Sequence, residues 1–298
     1  ICGTSGSLAA RSIVGSGNLT KLGVGQLTLT QSRATLSPGY SGLTSVRGGT
    51  LVLTHINNSR GHDISPGAVL ELQVASGSRN GAVATQFTGQ GTLRKTGAGQ
   101  LLWGASAATF AMSAGSLIDV QGGALVGGSF ANDDWRLNQS ALRVADGARF
   151  DGVEANVRVD GLHGGGRISS GLAGAGYTAF TLGVADGSGD FAGELADSSP
   201  GHAGHFVKVG GGTQTLRGAS TFTGGFSIDG GTVALAGGSN RLPTGITVHI
   251  RNGATLDLGG TAQTLTGLGT VGDRVVGNLG AGSLFTSNGV FLQRGRVD

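Results

Sequence analysis

Phe206-Val207-Lys208-Val209-Gly210-Gly211-Gly212-Thr213-Gln214-Thr215-Leu216 begins the stretch that decides the fold. Phe222-Thr223-Gly224-Gly225-Phe226-Ser227-Ile228-Asp229-Gly230-Gly231-Thr232-Val233-Ala234-Leu235 completes it. Glycine clusters alternate with runs whose apolar members sit two apart, Phe226 with Ile228 and Val233 with Leu235. A period of two means short strands with one buried face, and glycine clusters mark turns between them. Helical spacing is absent.

The unit recurs. Leu19-Thr20-Lys21-Leu22-Gly23-Val24-Gly25-Gln26-Leu27 is one copy, and Leu93-Arg94-Lys95-Thr96-Gly97-Ala98-Gly99-Gln100-Leu101 is a second. Lys21, Lys95 and Lys208 are the only lysines of the chain, and each holds the same place in its copy. The first copy continues through Tyr40-Ser41-Gly42 to Gly48-Gly49-Thr50-Leu51-Val52-Leu53, as the third continues to Gly230-Gly231-Thr232. In the second, Gly115-Ser116-Leu117-Ile118 is expected to stand in for this Gly-Gly-Thr strand. A further echo links Gly67-Ala68-Val69-Leu70, Gly147-Ala148-Arg149-Phe150 and Gly253-Ala254-Thr255-Leu256. The interval from Gly49 to Gly67 and that from Gly231 to Gly253 are each close to the length of one coil of a parallel β-solenoid, about 20 residues. Repeats fix architecture before any site is considered. The expected fold is all-β, one parallel β-helix over residues 1–298 with roughly 14 layers at ~4.8 Å each.

The pattern Lys-x-Gly-x-Gly, Thr-Phe-Thr-Gly-Gly and Ile-x-Gly-Gly-Thr-Val-x-Leu resembles the passenger-associated repeat of bacterial autotransporters, closely over 205–235 and well over 17–53. The resemblance implies a right-handed β-helix exported through the outer membrane by type V secretion. It also implies a C-terminal barrel outside these residues and a secreted or cell-surface location. Adhesion, serum resistance and other virulence roles are what such passengers do.

Bulk properties fit a solenoid. Glycine supplies 61 of 298 residues, yet 38% of the chain is apolar and alternates, so it can bury a core. Each coil contacts only its neighbours, so a single core grows with length. Charge is balanced, 20 basic against 17 acidic residues, and the cations are scattered. Nucleic-acid binders cluster theirs on one face, so that class is set aside. The single cysteine, Cys2, permits no internal disulfide, which suits passage through a narrow pore. No signal peptide opens the sequence, no apolar run approaches the ~18 residues of a spanning helix, and no barrel pattern is present. The reading is of a mature or excised piece.

Two segments break the alternation, 127–140 and 186–204, and are expected to project as loops. Solenoid loops carry most binding. Asp133, Asp134, Trp135 and Arg136 in the first and Phe191 in the second are the expected ligand-binding residues, because buried aromatics and arginines anchor interfaces. Trp135 lying back over the solenoid as a lid is the alternative. The partner would be a host surface or serum protein, or a second copy of the chain.

Catalytic and metal signals are weak. Gly3-Thr4-Ser5-Gly6-Ser7-Leu8-Ala9-Ala10 resembles a subtilase serine motif, but with an extra residue and no proline. A serine nucleophile also needs a His base and an orienting acid. Asp186-Gly187-Ser188-Gly189-Asp190 reads as a polar turn rather than a calcium loop, and His202 with His205 as loop histidines short of the three or four ligands a metal needs. A carbohydrate-active β-helix, the competing function, requires two facing carboxyl groups. Asp119, Asp151 and Asp257 lie on strands but are expected to face water singly. Neither metal nor cofactor is expected.

Overall fold

In the computed structural model the described residues are 6–10, 13, 15–30, 40–54, 59–80, 85–103, 108–127, 133–153, 155–172, 176–271, 274–275, 283–286, 290–293 and 296–297. Among the described residues the fold is all-β without helix: parallel strands stack into a β-solenoid of about 10 turns. That is fewer than the layers expected, because register partners lie up to 27 residues apart, as Arg167 and Glu194 do. The longer coils hold a strand on a face that the Gly-Gly-Thr to Gly-Ala spacing skips. Two compact units, Ile1–Phe150 and Asp151–Asp298, are described in turn.

In the first unit each coil visits up to three faces. The first face stacks Ser7–Ala10, Gln26–Leu29, Thr50–Leu53, Val69–Gln73, Thr92–Thr96, Leu117–Val120 and Ala141–Val144. The second holds Ser78–Asn80, Gln100–Leu102 and Ala124–Val126; the third holds Leu19–Lys21, Leu43–Val46, Gly61–Ile64, Gln86–Gly89 and Thr109–Met112. Register places Leu27, Leu51, Leu70, Leu93, Ile118 and Leu142 in one column. All six are at most 2% exposed, so alternation along each strand becomes an unbroken aliphatic stack across them. Each such side chain contributes roughly 1.5–3 kcal/mol on burial.

A second column is aromatic. His62 stacks on Phe87 at 5.1 Å, Phe87 on Phe110 at 5.2 Å, and Phe110 on Trp135 at 3.9 Å. Trp103 meets the edges of Phe87 and Phe110.

In the second unit the first face stacks Leu162–Gly164, Gly189–Phe191, Thr213–Leu216, Thr232–Leu235 and Thr255–Asp257. Arg167–Ser170 and Glu194–Asp197 form the second; Arg158–Val159, Phe180–Leu182, His205–Lys208, Gly225–Ile228, Thr247–Arg251 and Gly267–Val271 belong to the third. Ile228, Val233, Leu235 and Leu256 point inward, at no more than 1% exposed. The segment 186–204, expected as a projecting loop, supplies two ladder strands, Gly189–Phe191 and Glu194–Asp197. Its acids misled because they occupy the outward positions of those strands, where Asp190 meets Arg217 and Glu194 meets Arg167.

Candidate functional site

Each lysine ends or nearly ends a strand, with its side chain turned into the corner that follows. The Lys21 ammonium donates to the carbonyls of Leu22 (3.0 Å), Gly23 (2.8 Å) and Gly48 (2.9 Å). Lys95 donates to Thr96 (2.8 Å), Gly97 (2.9 Å) and Gly122 (2.9 Å). Lys208 donates to Val209 (2.6 Å), Gly210 (2.9 Å) and Gly230 (3.2 Å). Two acceptors belong to the lysine's own corner and the third to the corner one coil on. An ammonium has three donors and no acceptor, so three converging carbonyls satisfy it completely. All three side chains are buried, and burial pulls each amine below its ordinary range, Lys95 to about 8 with Arg79 adding to the effect. Near Lys208, Asp160 and Asp186 oppose that fall.

The corner needs glycine where it receives the next coil. Gly49, Gly123 and Gly231 have φ of 61°, 60° and 63°. A Cβ there would lie 2.3 Å from Gly25 O, 2.1 Å from Gly99 O and 2.4 Å from Gly212 O. Only a residue without a side chain fits such an approach at positive φ. The partner of the Lys95 corner is therefore Gly122-Gly123-Ala124-Leu125, not Gly115-Ser116-Leu117-Ile118 as expected. The three lysines also do not occupy one structural place. In the first unit Lys21 turns the chain from the third face to the first, whereas Lys95 turns it from the first to the second.

A glutamine device escaped the sequence reading. Gln214 Nε2 donates to Leu162 O at 3.1 Å while Leu162 N donates to Gln214 Oε1 at 2.9 Å. Gly189 lies between them in the stack, and its lack of a side chain lets the carboxamide through. Gln263 repeats the pattern on Leu242, with bonds of 3.0 and 3.1 Å. The cue was the Gln-Thr-Leu sequence shared by 214–216 and 263–265.

The expected ligand-binding residues divide. Trp135 is 3% exposed, Asp133 5% and Phe191 0%, so these three offer no surface to a partner. Residues 128–132 lie outside the described residues, but 133–140 runs along strand Thr109–Met112 rather than away from it. Phe110 N donates to Asp134 O at 2.8 Å, Asp134 N to Ala108 O at 2.8 Å, and Gln139 N to Met112 O at 2.8 Å. Asp133 Oδ1 accepts from Ala108 N, and Trp135 fills the aromatic column. Phe191 sits in an inward row between Gly164 and Leu216. Asp134 and Arg136 do reach the surface. They form a two-point ion pair at 3.0 and 2.8 Å that holds the Asp134 carboxyl below its usual range. Arg136 and its neighbour Leu137 are strongly exposed, with the Leu137 side chain 75% accessible.

Other candidates resolve into structure. Asp119 and Asp151, expected to face water, are buried: Asp119 lies beneath Arg94, Arg143 and Gln121, and Asp151 accepts from Val153 N and Ser198 Oγ. Asp186 Oδ1 accepts from Gly211 N, and His202 Nδ1 meets Ser199 Oγ at 2.7 Å. Among the described residues no three His, Cys, Asp or Glu converge as metal ligands. Gly3-Thr4-Ser5 lies outside the described residues.

The class defined by this geometry is a β-solenoid whose corners are closed by buried lysines. The passenger-associated-transport-repeat family model matches residues 19–53 and 206–235, the stretches that hold Lys21 and Lys208. With the solenoid, the match fits an autotransporter passenger. Lys95 lies outside the matched residues, in keeping with its different corner. No curated protein and no solved structure matches the chain.

Proposed function

We infer that this chain is a piece of a surface-displayed or secreted autotransporter passenger, a non-catalytic solenoid scaffold whose exterior contacts a host surface or serum protein, or a second copy of itself. The observation that carries the reading is the transport-repeat match over two lysine corners that the fold builds in the same way. The acids support the non-catalytic part. Asp63, Asp119, Asp134, Asp190, Asp229 and Glu194 each face an arginine, rather than one another across a groove as glycoside hydrolysis needs. For contact with a partner, the exposed Arg136-Leu137 turn replaces the buried Trp135 as the anchor.

The test places the chain between a signal peptide and an autotransporter barrel in a bacterium. Surface display is expected, read by protease cleavage on intact cells. Accumulation inside the outer membrane, with the barrel itself inserted, would count against the passenger reading. Binding to host cells and serum proteins is then compared between the native chain and Arg136→Ala/Leu137→Ser. An unchanged profile removes that turn as the contact.

A further inference from the structure

In the second unit the coil from Gln214 to its register partner Val233 is several residues shorter than the preceding one from Gly189 to Gln214. The shorter coil has no strand where the preceding one places Glu194–Asp197. Its segment 220–223 and the loop 240–246 of the following coil border a recess of about 330 Å³. That volume is at the lower end of small-molecule sites, about 300–1,000 Å³.

The recess has an apolar floor and a neutral polar rim. Phe222, Leu242 and Ile246 are buried beneath it, and Pro243 is half-buried at its side. Thr221, Thr223, Asn240 and Thr244 are exposed around it. No lining residue is charged. The hydrogen bonds already made set what the rim can still offer. Thr221 Oγ1 donates to Glu194 Oε1 and Thr223 Oγ1 to Asp197 Oδ2 at 2.8 Å, so both hydroxyls remain acceptors. Asn240 Oδ1 accepts from Thr264 N at 2.8 Å, which leaves the amide NH₂ as a donor. Thr244 can serve as either.

The walls are fixed. Both backbone groups of Leu242 are held by Gln263. Asn240 N donates to Ala262 O, and Ser220 N to Arg241 O. The Arg241 guanidinium is tied to Ser239 O and Arg217 O. A ligand entering a preformed site loses little affinity to ordering it.

We propose that this recess binds a neutral saccharide, one or two sugar rings of a glycan. A pyranose presents hydroxyls around its edge, matching the mixed acceptors and donors of the rim, and C–H groups on its face, matching Pro243 and the floor. Asp197 stands behind Thr223, the Glu194 behind Thr221 is already paired with Arg167, and no cation lines the recess, so nothing there favours a phosphate, sulfate or carboxylate ligand. The proposal deepens the display reading by naming what the displayed surface takes. Its test uses purified protein, so a failure of export leaves it untouched.

The probes are immobilised oligosaccharides ending in neutral hexoses or N-acetylhexosamines, beside sulfated and sialylated ones. Saturation-transfer NMR with each free sugar at millimolar concentration covers weak binding. Binding of at least one neutral glycan is expected. Asn240→Asp keeps the acceptor for Thr264 but loses the NH₂ donor, and Thr244→Trp fills the recess. Each is expected to weaken that binding at least tenfold with an unchanged urea midpoint. Failure of every neutral glycan by both methods, preference for the anionic ones, or binding retained in both variants would overturn the proposal.

Discussion

The Trp135 indole lies parallel to the Phe110 ring, 3.9 Å between centroids, and extends the aromatic column that runs from His62 toward Phe150. Flanking charges on Asp133, Asp134 and Arg136 gave it the look of a surface anchor, but the column decides its role. Trp135→Ala should therefore behave as a core truncation and cost about 3–5 kcal/mol. Urea unfolding measures it. A loss below 1 kcal/mol would return Trp135 to the surface.

His62 makes the same column sensitive to acid. Burial lowers its pKa from 6.5 to about 4, with the Gln86 backbone opposing slightly. Between those values the unfolded chain holds the proton and the folded chain does not, so stability is present above pH 6.5 and lost as pH falls toward 4. The loss by pH 4.5 is about 2–3 kcal/mol from this group. His62→Phe, which preserves stacking on Phe87, should lack that component. Native and variant urea midpoints are compared at pH 7 and 4.5, and equal acid losses would remove His62 as the source.

The strand faces were legible because alternation is strict where a column is aliphatic. Ile228, Val233, Leu235 and Leu256 were read inward and lie inward. Of the two readings of Trp135, the packed one fits: composition alone suggests an anchor, whereas His62, Phe87, Phe110 and Trp135 follow one another at nearly equal intervals, one coil each. Asp119 was read as solvated because sequence does not show Arg94 and Arg143 arriving from neighbouring coils at the same register. The role of Gln214 is hidden for a different reason, although the Gln-Thr-Leu it shares with 263–265 marks the position. A polar residue at an inward position breaks the pattern, and only the stack shows that it bonds across Gly189.

The lysine corners predict a cost out of proportion to the residue's size. Lys95→Met keeps the aliphatic stem but leaves the carbonyls of Thr96, Gly97 and Gly122 without their donor. Buried acceptors left unpaired cost about 1–3 kcal/mol each, with relaxation toward water reducing the sum. A loss of about 2–4 kcal/mol is expected, similar for Lys21→Met and Lys208→Met. If all three variants unfold within 1 kcal/mol of the native protein, the ammonium groups are passengers in the corners and not their closure.

Gln214 gives the sharpest test of how coils are joined, because hydrophobicity and hydrogen bonding predict opposite outcomes. Its side chain is 1% exposed, so Gln214→Leu would bury more apolar surface at nearly the same volume. By transfer energy alone that substitution stabilises. But Leu162 would lose the acceptor for its N–H and the donor to its carbonyl, both now supplied by the carboxamide. Gly189 has no side chain to fill the gap, and a Cβ there would stand 2.4 Å from Leu162 O. The expected result is a loss of about 2–4 kcal/mol, since stranded buried backbone groups outweigh the gain in apolar area. Amide exchange at Leu162 should accelerate well beyond the rate set by global unfolding. A stabilised Gln214→Leu protein with unchanged exchange at Leu162 would show that the backbone finds other partners and that the glutamine merely fills space.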